Sequence, residues 1–174
     1  MPKPLRLQLP TDLPHLAALR HRDYRRTWLA GTFSGAAMWT LIVATTWLVL
    51  ERSGSSGWVG IITFSSLVPA LFVSPVGGLM GDMYDRRTLA MRMFMLSAVL
   101  VAALALLSIT GVVELWHVAA LSFALGVGRY VREPAMQALI PNQVPREDLL
   151  NALVLNGVSR HGARFFGLAI AAPL

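Results

Sequence analysis

The chain contains no cysteine, which excludes disulfide frameworks, thiolate metal sites and cysteine nucleophiles together. Charge is also scarce. Asp, Glu, Lys and Arg make up 14% of the residues, against roughly 25% in ordinary globular usage. Lysine occurs once, as Lys3, beside fourteen arginines, and the acidic residues number nine. A domain of 174 residues in water needs a charged surface that this chain does not have. What it has instead is 55% apolar residues and a mean hydropathy of +0.58. The net charge of +6 raises the possibility of nucleic acid, but that reading wants cations clustered on a soluble fold. Here they lie between apolar blocks, so no nucleic-acid partner is expected. The composition is that of an all-α integral membrane protein with lipid as its surroundings.

The blocks set the expected spans. Thr27 to Leu50 and Trp58 to Gly81 are each 24 residues without a charge, and Met93 to Val113 is 21. A hydrocarbon core of ~30 Å takes about 20 helical residues at ~1.5 Å each, so all three are long enough to cross. Leu115 to Gly128 is uncharged and continues past Arg129 to Val131. Leu149 to Leu174 is 26 residues and contains Arg160, His161 and Arg164. Five transmembrane helices are therefore expected, over about 27–50, 58–81, 93–113, 115–131 and 149–174. Spanning strands would read as segments of about ten residues with alternating polarity, and none is seen.

Residues 1–26 read as a cytoplasmic tail ending in a short interfacial helix, with the basic run Arg20, Arg22, Arg25 and Arg26 before the first block. That block is too long for a signal-peptide core of roughly 7–15 residues. Eleven cations fall in the tail and the second and fourth connections, and Arg52 alone falls in the first and third. This bias places the N-terminus in the cytoplasm of a multi-pass protein.

Two patterns carry chemistry. Gly78-Leu-Met-Gly-Asp82-Met-Tyr-Asp85-Arg86-Arg87 sits where the second span ends. Its mixed charges can pair or face helix termini, and the plainer reading is a solvated loop that enforces topology. This stretch resembles the signature loop between helices two and three of the major facilitator superfamily, with Gly78, Asp82, Arg86 and Arg87 matching in type and spacing. Its Asp-x-Tyr-Asp-Arg-Arg form is similar to the enterobactin-exporter-like branch, the transmembrane secretion effectors. Pro134-Ala-Met-Gln-Ala138, Val144-Pro145-Arg146-Glu147-Asp148-Leu149 and Leu155-Asn156 through Ala163-Arg164 to Gly167 resemble that branch in the same order. Leu168 stands where the branch has proline, and Ala171-Ala172 where it has two glycines, which removes the support that region gives to antiport.

The resemblance implies the first five helices of a twelve-helix fold built from inverted three-helix repeats, with a missing C-terminal half as partner. It also implies a secondary transporter of the bacterial inner membrane, proton-coupled and exporting small organic molecules, with no enzyme activity and no cofactor. The alternative is a non-transporting five-helix remnant or a helix–helix interaction partner.

The second pattern is the set of cations within spans. Arg160 and Arg164 are four apart and share a helix face. Arg160 lies roughly 16 Å into its helix, close to the midplane. A cation there should face a cavity or a partner. Arg164, Arg160, His161 and Asn156 are therefore candidates for a substrate pathway, with packing, or pairing with a missing helix, as the competing role for the arginines. Glu133 is four residues from Arg129, which reads as a local pair. No metal cluster and no catalytic pair is apparent.

Overall fold

A computed structural model describes residues 14–73 and 85–172. A 3₁₀ helix, Pro14–Arg20, leads into α1 (Arg22–Ser53), α2 (Ser56–Leu67), α3 (Arg86–Ile109), α4 (Leu115–Leu139) and α5 (Leu149–Ala171). Two short 3₁₀ turns, Ile140–Asn142 and Arg146–Asp148, join α4 to α5. No strand occurs among the described residues. The protein is an all-α, multi-pass membrane chain of five helices. The stretches Arg22–Ser53, Ser56–Val73 and Arg86–Ile109 are each long and apolar enough to cross a membrane.

The helix ends follow from local chemistry. Gly54, at φ 60°, takes the left-handed conformation that ends α1, and its N–H reaches the Leu50 carbonyl at 2.8 Å. Ser55 then caps α2 by accepting from the Gly57 N–H. Asp85 caps α3 by accepting from the Thr88 N–H at 2.8 Å and its hydroxyl at 2.6 Å. Glu114 and His117 cap α4 reciprocally, each side chain bonding the other's backbone N–H. α2 breaks for one residue at Val68 before continuing to Val73, because Pro69 has no N–H to offer the Ser65 carbonyl.

Proline is not always a stop. α4 runs through Pro134 to Leu139, eight residues beyond the end expected at Val131. Arg132 and Glu133 are thus helical residues and not part of a connection. At the other margin, α1 starts at Arg22, so Arg22, Arg25 and Arg26 belong to the helix that carries the 27–50 block.

Small residues set the packing. α1 lies along α5, while α4 is shared between α2 and α3. On α5, Leu155, Ser159, Ala163, Gly167 and Ala171 are buried at a spacing of four, a stripe that winds gradually around the helix along its seam with α1. A Cβ on Gly167 would sit 2.5 Å from the Ala36 carbonyl oxygen and 2.6 Å from Trp39 Cβ. A Cβ on Gly126 would sit 2.5 Å from the Ser66 carbonyl oxygen, so α2 and α4 touch backbone to backbone there. Large apolar side chains point outward instead, among them Phe33, Phe64, Leu71, Met95, Ile109 and Phe165. In water such a surface would drive aggregation; against hydrocarbon it costs nothing.

One end of the α1–α5 seam is locked by polar contacts. Tyr24 is buried and donates to the Ala152 carbonyl at 2.7 Å. Trp28 Nε1 donates to the Leu155 carbonyl at 3.2 Å, and Gln143 Nε2 to Thr27 Oγ1 at 2.8 Å. His21 Nε2 and Asp148 Oδ2 lie 2.8 Å apart. Around them pack Ala18, Ile140, Val144 and Leu155. At the opposite end, Val49, Ile62, Leu104, Val113 and Val118 form a second core cluster.

Candidate functional site

Between α1, α4 and α5 lies an open cavity of about 170 Å³. Its α1 wall includes Trp28, Gly31, Gly35 and Trp39, and its α4 wall includes Arg129, Arg132, Glu133 and Met136. Asn156, Ser159 and Arg160 complete it from α5, and Phe94 reaches in from α3. The amphipathic spacing of α4 explains its contribution. Arg129, Arg132, Glu133 and Met136 are three or four apart, so all share one face.

The charges there are ordered. Arg160 Nη2 stands 3.5 Å from Glu133 Oε1, an ion pair between α5 and α4. The guanidinium carbon of Arg132 lies 4.4 Å from the Phe94 ring centroid, stacked as a cation over its face. That of Arg129 is 5.6 Å from the ring of its neighbour Tyr130. The local Arg129–Glu133 pairing expected from the spacing is not the ion pair formed: the carboxylate points across to α5. Tertiary packing brings Arg160 within reach, and helical spacing says nothing about that choice.

The candidates from the sequence separate clearly. Asn156 and Arg160 line the cavity. Arg164 does not; it stacks 4.7 Å from the ring of Trp39, whose indole forms part of the lining. His161 is exposed and lies outside the lining. Gly78 and Asp82 fall outside the described residues. Asp85 holds the start of α3, and the Thr88 hydroxyl and N–H that bond it keep its carboxyl below the ordinary carboxylate range. Arg86 Nη1 donates to the Ala138 carbonyl at 3.2 Å, tying α3 to the last turn of α4. A cation is favourable at that helix C-terminus, where carbonyls lack partners. Arg87 is exposed. The described part of the signature loop therefore works as a clasp between helices, away from the cavity.

Among the lining side chains that escaped the sequence reading are Arg132, Glu133, Trp39 and Phe94. The first two carried a signal, their charge on the α4 face, hidden because the span was ended at Val131. The two aromatics lie in uniformly apolar runs and carried none. Among the described residues no group of His, Asp and Glu is arranged to hold a metal.

Known proteins share this sequence in part. Residues 14–174 match the family described as transmembrane secretion effector. The multidrug efflux pump Tap of Mycolicibacterium fortuitum is 32% identical over 109 residues, 63% of this chain and 27% of that protein. Tap of Mycobacterium tuberculosis (strain ATCC 25618 / H37Rv) is 39% identical over 67 residues, 38% of this chain and 16% of that protein. The aligned part thus spans little more than a quarter of these relatives at most. No solved structure matches the chain. With the family matched across nearly every residue and a charged cavity between α1, α4 and α5, the chain belongs to the transmembrane secretion effectors of the major facilitator superfamily, which are transporters and not enzymes.

Proposed function

We propose that this chain forms the N-terminal portion of a proton-coupled exporter of small organic molecules in the bacterial inner membrane. The observation that carries the reading is the Arg160–Glu133 pair at the mouth of a cavity between helices. Ionisable groups within spans are expensive in hydrocarbon and are kept where they face a pathway or a partner. The description of the relatives as multidrug efflux pumps supports small organic molecules as cargo.

In this mechanism a second helical half covers the cavity, and the two halves rock about a site near the midplane. Within this half, α2 and α4 move as a pair, and α1 and α5 as another, because close backbone packing at Gly126 and at Gly167 leaves no room to slide. The tail, Asp85 and the α4–α5 connection face the cytoplasm, as the arginine bias asks. Export is then driven by protons moving inward.

The test uses everted inner-membrane vesicles containing the natural gene product. Uptake of a panel of small organic compounds should appear on energisation and collapse when an uncoupler dissipates the proton gradient. Glu133→Gln and Arg160→Gln should each lower it at least tenfold at unchanged protein level. Energised vesicles that accumulate nothing above the empty-vector background would leave the non-transporting membrane protein as the answer.

A further inference from the structure

Resting on that transport reading, we propose that the cavity binds the acidic end of an aromatic organic anion, a single-ring aryl carboxylate group, with Arg132 as its principal anchor and Arg129 beside it. Charge gives the first argument. The cavity lining contains three guanidiniums, Arg129, Arg132 and Arg160, and one carboxylate, Glu133. Glu133 is committed to Arg160. Among the described residues Arg129 and Arg132 have no carboxylate partner, and they stand three apart on one helix face. Two like charges so placed call for an anion between them.

Geometry gives the second. The Arg132 guanidinium carbon lies over the Phe94 ring at 4.4 Å from its centroid, and no carboxylate of the described residues forms an ion pair with it. The N–H edge of a guanidinium matches a carboxylate bidentately, and the ring contact holds it in place before anything binds. Size and surface give the third. Cavities of roughly 150 Å³ admit a benzene ring, and this one measures about 170 Å³. Gly31 leaves space on the α1 side, where the lining also includes Trp28, Met38, Trp39 and Met136. Indoles and thioethers are the surfaces that pack well on an aromatic ring.

The test uses the natural gene product purified into lipid nanodiscs, with three probes: benzoate, benzylamine and acetate. Benzylamine has the same ring with the opposite charge, and acetate has the acid without the ring. Benzoate should bind at least tenfold more tightly than either. Arg132→Gln should weaken benzoate tenfold or more, while Arg132→Lys, which keeps the charge but loses the fork, should fall between. Gly31→Leu adds bulk at the lining without altering any charge and should also abolish benzoate binding, with an unchanged thermal unfolding midpoint showing that the fold is kept; the first atom added, its Cβ, meets only Met136 Cε, at 3.7 Å. Benzylamine binding as well as benzoate, or benzoate affinity unchanged in both Arg132→Gln and Gly31→Leu, would overturn the proposal. Vesicles separate it from the transport reading. Proton-driven efflux of aromatic cations but not anions would end this proposal and leave transport standing. Arg132-dependent benzoate binding without any efflux would do the reverse.

Discussion

A lone guanidinium near the middle of a bilayer costs about 2.5–3.5 kcal/mol; Arg160 is not alone, since Glu133 answers it from the neighbouring helix. The pair is half exposed, 54% for Arg160 and 40% for Glu133, so screening reduces what it contributes. Glu133→Gln or Arg160→Gln alone should cost about 1–2 kcal/mol, and the double variant less than the sum, because it leaves no orphaned charge. Equal and additive losses, read from thermal unfolding in detergent, would show that the two do not interact. Arg164→Ala should cost less, about 0.5–1 kcal/mol, the worth of a cation over an exposed ring. Arg160 and Asn156 could be picked out from the sequence because polar groups stand out in an apolar run. The partner of Arg160 could not be, since helical spacing pointed Glu133 to Arg129 and only the packing of α4 against α5 brings Arg160 to it.

Individual helices make sharper demands. Gly167→Ala would place a Cβ 2.5 Å from a carbonyl oxygen of α1, where backbone and not a flexible side chain must give way. A loss of about 1–3 kcal/mol is expected, as for other overpacked sites. Gly157→Ala and Gly162→Ala lie on the same helix with nothing within 4 Å, so they should stabilise by about 0.5–1 kcal/mol. Similar unfolding midpoints for all three would refute the close α1–α5 crossing. At the start of α3, the folded chain holds the Asp85 carboxyl below its ordinary range. Ionised, it favours the first turn at every pH above the unfolded value of ~3.9, and that contribution is lost as pH falls through the folded value. Protection of the Thr88 and Leu89 amides, taken relative to their intrinsic exchange rates, should therefore fall below about pH 4, and Asp85→Ala should remove that pH dependence of protection. The apolar runs made the three long spans legible, and Gly54 and Gly111 marked their turns. The margins were harder to read: Arg22, Arg25 and Arg26 look like tail until one sees that nothing in them stops a helix.

For the molecule as a whole, orientation is the open prediction. Ser56→Cys and Val112→Cys, at the two-glycine end, should react with a membrane-impermeant thiol reagent added outside the cell, whereas Arg87→Cys and Asn142→Cys should not. Labelling at both ends alike would refute the arginine-based topology. The order of synthesis adds a further constraint. Thr40 Oγ1 donates to the Gly167 carbonyl at 3.1 Å, 127 residues later in the chain, and Tyr24 waits 128 residues for the Ala152 carbonyl. At ~5–20 residues per second, α1 is made roughly 6–25 s before the helix it packs against. During that interval the buried phenol of Tyr24, the indole of Trp28 and the α1 surface around Ala36 have no protein partner. α1 thus cannot complete its packing until α5 arrives, and its polar groups must be sheltered in the interval.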